Sequence, residues 1–210
     1  MVFIYDCNLN IDGFIHMLDD PTECYKFYWL DAIMQLIAQG KTEFTFDEIV
    51  SGMIADAWYS VSVCHLKMGT KDKNGNSANS IERAIVKLCE QQNQQSALAN
   101  RMEVLSFLID NNSIIKEQKM QIIKNVPYRL LSSFIPEIGG NDSIWDNKTR
   151  LISYYDLINR EKCLPYTFGS ESGLNRKILI DKRWLSFLRD NLVSIRGCVF
   201  CKPFLQKVAK

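Results

Sequence analysis

The sequence predicts a mainly α-helical protein, a multi-helix globular array with two or three short strands. Three observations carry that expectation: apolar residues recur at three- and four-residue spacing through most segments, capping residues stand before several of them, and strand-like runs are few and short. A hydrophobic share of 47% and a charged share of 23% over 210 residues suffice for a sizeable core and exclude a disordered or collagen-like chain. That length accommodates one large domain or two small ones.

From Tyr25 to Gln39 the residues Phe27, Trp29, Leu30, Ile33, Met34, Leu36 and Ile37 define a helix with one wide buried face, and Gly40 supplies its stop. The polar-apolar alternation of Thr42 to Thr45 reads as a short extended segment. Thr45 and Glu48 then form a capping-box pattern that starts a second helix near Phe46, burying Ile49, Val50, Met53, Ile54 and Ala57 and ending near Trp58, before the β-branched stretch Tyr59 to Val63. This helix, strand, helix order fits a winged-helix-like N-terminal unit, and equally the opening of many other folds. Met68 to Asn79, rich in Gly, Asn, Lys and Ser, reads as an exposed loop. The loop divides the chain into residues 1–79, an N-terminal helical unit, and residues 80–210, a C-terminal helical unit, which pack separately or as one body.

In the second unit Ser80 caps a helix through Ile81, Ile85, Leu88 and Cys89, interrupted by the polar tract Gln91 to Ser96. Helices follow at Ala97 to Ile109 and Ser113 to Lys124, and Pro127 opens a short one carrying Leu130, Leu131 and Phe134. Pro136 and Gly139 to Asp142 break the pattern before an amphipathic segment from Asn147 to Glu161. Pro165 to Gly173 resets the chain, Lys177 to Ile180 is a strand, and Asp181 caps a final helix burying Trp184, Phe187, Leu188, Leu192 and Ile195. No internal repeat is evident.

Several function classes lose their basis. Residues Met1 to Asp6 lack a signal-peptide pattern, no run of about 18 apolar residues exists to suggest a membrane span, and the seven cysteines (Cys7, Cys24, Cys64, Cys89, Cys163, Cys198, Cys201) read as reduced thiols, so the expected location is cytoplasmic. His16 and His65 stand alone, so neither a metal centre nor a catalytic residue is assigned, and no phosphate-cradling glycine loop or nucleophile elbow implies a cofactor or a common hydrolase. Cys198 and Cys201 form the one C-x-x-C, open to three readings: unpaired structural thiols, half of a metal site completed elsewhere, or a redox pair. The aromatic cluster Tyr25, Phe27, Tyr28 and Trp29 reads as core rather than as a stacking surface for bases.

Charge is more informative. Residues 1–80 carry five Lys against eleven Asp and Glu, a net −6; residues 81–175 balance eleven against eleven; residues 176–210 carry nine cations against two anions, a net +7. Arg176, Lys177, Lys182, Arg183, Arg189 and Arg196 are therefore the candidate phosphate contacts of a nucleic-acid-binding surface. The plainer alternatives are a solvated helix face and an in-chain match to the acidic N-terminal third.

The residues Lys26-Phe-Tyr-Trp-Leu-Asp-Ala-Ile33, Phe46-Asp-Glu-Ile-Val50, Met53-Ile-Ala and Ala57-Trp58-Tyr59 resemble the N-terminal region of bacterial HNH endonucleases, and Arg183 to Asn191 is similar to the segment leading toward their nuclease module. The resemblance implies a DNA-cutting, hydrolase-type parent with a ββα-metal module built on a general-base histidine. No position here matches that motif, so the chain is expected to be the non-catalytic portion, which recognises DNA or acts as a scaffold. The competing class is a protein-interaction module in which the acidic front of one copy meets the basic end of another in a homodimer. An enzyme with an unfamiliar site is the third.

Overall fold

A computed structural model describes residues 9–17, 24–69, 77–92, 98, 100–135 and 142–197. Helix α1 (Ile11–His16) is held by Asn10, whose side chain accepts from the Gly13 amide. Helix α2 (Tyr25–Ala38) ends before Gly40, whose positive φ of 88° suits a residue without a side chain. Strand β1 (Glu43–Thr45) runs into α3 (Phe46–Ser62) through the expected capping box: the Thr45 hydroxyl accepts from the Glu48 amide and the Glu48 carboxylate accepts from the Thr45 amide. The aromatic residues Phe27 and Trp29 are buried in the core, as expected.

Helix α3 does not stop near Trp58. It continues through the β-branched stretch to Ser62, because burial of Trp58 and Val61 outweighs the weak local preference against helix. Helix α4 (Ser80–Gln92) follows, then α5 (Arg101–Asp110), capped by the Asn100 side chain, which accepts from the Met102 and Glu103 amides. The helix expected from Ser113 is shorter: residues 111–115 form turns and α6 spans Lys116–Ile123. The short α7 (Val126–Arg129), with Pro127 in its first turn, passes into a 3-10 helix at Leu130–Phe134. Two further helices, α8 (Asp142–Asp146) and α9 (Lys148–Lys162), precede β2 (Tyr166–Phe168), a 3-10 turn at Gly173–Asn175, β3 (Lys177–Ile180) and α10 (Lys182–Asp190), with a last helical stretch at 192–197.

The protein is thus mainly helical with one small antiparallel sheet of order β1-β3-β2, in which Phe44 faces Ile178 and Phe168 faces Ile178 from the other side. Among the described residues β1 pairs with a strand some 130 positions away, so α2, β1 and α3 carry no wing of their own: the extended segment expected in the N-terminal unit is completed by the C-terminal one. A single cluster of buried apolar residues runs from Leu9 to Ile195 across both units. Three of its aromatic members satisfy their polar tips on backbone carbonyls, Tyr155 donating to Tyr128 (2.6 Å), Tyr166 to Pro127 (2.6 Å) and Trp184 to Cys163 (2.7 Å), whereas among the described residues the buried indole N–H groups of Trp29 and Trp58 meet no acceptor. Cys163 caps α9 in the left-handed region at φ 47°, a conformation that a non-glycine residue holds only under such anchoring.

A buried ion pair ties α6 to α3. The Lys119 ammonium, 1% exposed, donates to the Asp47 carboxylate and to the Ser51 hydroxyl, both at 2.8 Å. Burial pulls the Lys119 ammonium below its ordinary range, opposed by Asp47. Among the described residues no helix is long and apolar enough to cross a membrane.

Candidate nucleic-acid interface

Three cations from the electrically neutral middle of the chain converge where α7 meets α8 and α9. Arg129, in the last turn of α7, lies over the half-buried Trp145 ring of α8, with its guanidinium carbon 5.7 Å from the ring centre. Lys148, the first residue of α9, lies 5.2 Å from the centre of the Tyr128 ring and donates to Asn125 Oδ1 and to the Trp145 carbonyl. Lys124, directly after α6, is close enough to add its charge. The Lys148 ammonium is held below its ordinary range by burial first and then by the charge of Arg129; Asp146 opposes the shift and Lys124 adds to it.

Among the described residues no carboxylate forms an ion pair with Lys124, Arg129 or Lys148. The aromatic faces offset part of the repulsion, each contact contributing about 0.5–1 kcal/mol where water has access. The amino end of the 15-residue α9 opens at the same place, where Asn147 accepts from the Arg150 amide. Its dipole adds further positive potential. The result is a ledge of like charges over the half-buried Trp145 and the buried Tyr128, which a multiply charged anion would relieve.

The six cations singled out in the sequence are distributed differently. Arg176 donates to the Gly169 carbonyl (2.9 Å), and its charge reaches the Tyr128 hydroxyl, which places it beside the ledge. Lys177 pairs with Glu43 across the sheet (2.8 Å), Arg183 pairs with Asp181 (3.2 Å), and Arg196 pairs with Asp31 (2.6 Å). Lys182 and Arg189 are exposed and lie seven residues apart, on the face of α10 opposite Trp184, Phe187 and Leu188. Among the described residues the acidic front and basic end therefore meet within one chain at Glu43 with Lys177 and at Asp31 with Arg196.

Charge counting by segment passed over Lys124, Arg129 and Lys148 because their third of the chain sums to zero. The local signal was present nonetheless, as Tyr128 adjoins Arg129 and Trp145 precedes Lys148 by three positions.

The Asp31 contact belongs to a longer chain of polar groups. The Gln35 amide donates to Asp31 Oδ2 (2.7 Å) and to Asp56 Oδ2 (2.9 Å), and Arg101 donates to Asp56 Oδ1 (2.6 Å), so α2, α3, α5 and the last helical stretch are joined. Burial raises the Asp56 carboxyl above its ordinary value against the pull of Arg101 and Gln35, with the Asp31 charge adding to the rise. Burial, with the Cys24 thiol and the two aspartates, pushes the Tyr28 hydroxyl up to about 12. These groups hold one another.

Among the described residues no three His, Cys, Asp or Glu side chains gather as metal ligands. His65 is exposed at the loop after α3 and His16 closes α1. Cys24, Cys64, Cys89 and Cys163 form no disulfide among the described residues, whereas Cys198 and Cys201 lie outside them.

Fold and ledge together define a mainly helical protein with a cation-aromatic surface. No family model, no curated protein and no solved structure matches the chain.

Proposed function

We propose that this chain is a non-catalytic nucleic-acid recognition or scaffolding region, binding phosphates through Lys124, Arg129, Lys148 and Arg176 and presenting the half-buried Trp145 beside them. The observation that carries the reading is the ledge: three mutually repelling cations without a carboxylate partner among the described residues, set against aromatic faces. Cations neutralise phosphates with release of counterions, and rings beside them favour unpaired bases. Lys182 and Arg189 add positive charge elsewhere on the surface. The resemblance to the non-catalytic part of HNH endonucleases makes DNA the first ligand to try.

The test is fluorescence anisotropy of labelled single-stranded and duplex DNA across a salt series, with wild type beside a Lys124→Glu, Arg129→Glu, Lys148→Glu variant. Affinity should fall log-linearly with salt, and the variant should bind at least ten-fold more weakly, with a salt slope shallower by about 2 for single strands. An absence of binding at low salt, or a variant that binds as wild type does, removes the reading.

A second reading, an interaction module without nucleic-acid binding, draws on Met102 and Ile109. These are 67% and 76% exposed and stand seven residues apart on one face of α5. A concentration-dependent dimer in sedimentation, with no DNA affinity, would favour it.

A further inference from the structure

A cleft of about 680 Å³, within the usual range for small-ligand sites, opens between the first turn of α3, the turn at 111–115, the outer face of α6 and the 3-10 turn before β3. Gly173 starts that 3-10 turn at φ 60°, a conformation glycine adopts without strain, and so folds Leu174 and Asn175 onto the cleft wall. The lining mixes polar and apolar surface, and its polar chemistry is lopsided. Asp47 spends Oδ1 on Lys119, but its Oδ2 has only a long 3.5 Å contact from Asn112 Nδ2, and the side chain is 31% exposed. Asn112 Oδ1 is buried with no partner.

Asp47 Oδ2 is thus short of a donor and Oδ1 keeps a second lone pair, so free energy is to be gained from a ligand offering adjacent N–H groups to this carboxylate. Met120 and Leu174 supply apolar surface suited to a flat ring, the thioether being a favourable neighbour for an aromatic edge. Lys116 stands in the lining with no carboxylate partner among the described residues, so an anionic group on the same ligand is provided for. Lys116, Met120 and Lys124 are all exposed and follow one another at four-residue intervals. They therefore form one stripe about 12 Å long, leading from the cleft to the ledge.

We infer that this cleft takes the guanine base of a nucleotide, with the Asp47 carboxylate accepting from its N1–H and N2–H₂ edge and Lys116 meeting its phosphate. Guanine presents two adjacent donors on its pairing edge. Adenine and cytosine each place a ring-nitrogen acceptor beside their single amine, and that acceptor would face the carboxylate. The inference deepens the nucleic-acid reading and rests on it for the choice of ligand class: the base belongs either to a free nucleotide or to an unpaired residue of a strand whose phosphates continue along α6 to the ledge.

Equilibrium dialysis of the purified chain with GMP, AMP and free arginine tests the cleft, and anisotropy with thymidine decamers carrying one central guanine or adenine tests the strand. GMP should bind at least ten-fold tighter than AMP. Asp47→Asn should erase that preference, and Asn175→Trp, which fills the cleft from an exposed position without touching the Asp47 and Lys119 pair, should abolish GMP binding. The Lys124→Glu, Arg129→Glu, Lys148→Glu variant should keep GMP binding while losing the decamers. Equal affinity for AMP and GMP, competition by arginine as effective as by GMP, or GMP binding that survives Asn175→Trp each overturns the inference. Decamers bound without a guanine preference while GMP is still selected over AMP assign the cleft to a free nucleotide and leave the ledge reading intact. GMP bound selectively with no decamer bound supports the cleft and removes the nucleic-acid reading instead.

Discussion

Between Arg176 and Arg196, Lys177 meets Glu43, Arg183 meets Asp181 and Arg196 meets Asp31, whereas Lys124, Arg129 and Lys148 meet one another and two aromatic rings. The first region has the higher net charge in sequence and the more fully answered charge in space. The second has no net charge in sequence and an unanswered cluster in space. Local potential is set by what lies within a Debye length of about 8–10 Å, not by the sum over a stretch of chain. A segment count locates cations; the fold decides which of them still have something to offer a ligand.

The contrast is sharpest at Arg196. Its guanidinium faces a carboxylate that is 2% exposed, so Arg196→Ala leaves Asp31 buried with the Gln35 amide as its remaining side-chain donor among the described residues. A loss of about 2 kcal/mol is expected in urea unfolding, below the full cost of breaking a buried pair because Arg196 is itself about a third exposed. The ledge substitutions should leave the unfolding midpoint unchanged or raise it slightly, since they remove like-charge repulsion. Should Arg196→Ala cost nothing while the ledge variant unfolds early, the two regions have been assigned the wrong way round.

Acid titration separates answered from strained carboxylates within the acidic front. Burial works to raise Glu48, but Lys41 and the Thr45 amide and hydroxyl prevail and hold it below its ordinary 4.5. Its folded state therefore binds fewer protons than the unfolded one, and its contribution is present above that value and is lost as pH falls through the lowered one. Asp56 is shifted the opposite way, above its ordinary 3.8, so its folded state binds more protons and its contribution falls as pH rises through that window. In urea unfolding between pH 3 and 7, the stability gap between wild type and Glu48→Gln should widen toward neutrality, and the gap for Asp56→Asn should narrow. Parallel curves for the two variants would remove the distinction.

The smallest effect is expected at Lys177. Both it and Glu43 are well exposed, and exposed pairs contribute little because water and salt screen them. Lys177→Ala should leave the thermal midpoint unchanged within error at 150 mM salt. A clear drop would mean that the sheet pairing of β1 with β3 depends on this contact and not on Phe44 and Ile178 beneath it.

Much of the architecture was legible because it is local. The stripe in α2, the Thr45 and Glu48 capping box, the Asp181 cap and the Trp184, Phe187 and Leu188 face of α10 all depend on residues within one or two helical turns. The extension of α3 to Ser62 was not, because it depends on what Trp58 and Val61 pack against. Neither α1 nor α8 announced itself, since each is too short for periodicity to develop. Strand β2 was hidden in a stretch that read as a break, and β1 found its partner only at β3.

By itself, then, the sequence determined a mainly helical chain, the starts of several of its helices and the inventory of its charges, all properties of short windows. The tertiary structure decided that Lys177 and Arg196 would be answered by the acidic front, that Lys124, Arg129 and Lys148 would gather on one ledge, and that Asp47 would face a cleft with an acceptor to spare. Those outcomes depend on distances between residues tens of positions apart, and such distances are fixed by the packing of the common core.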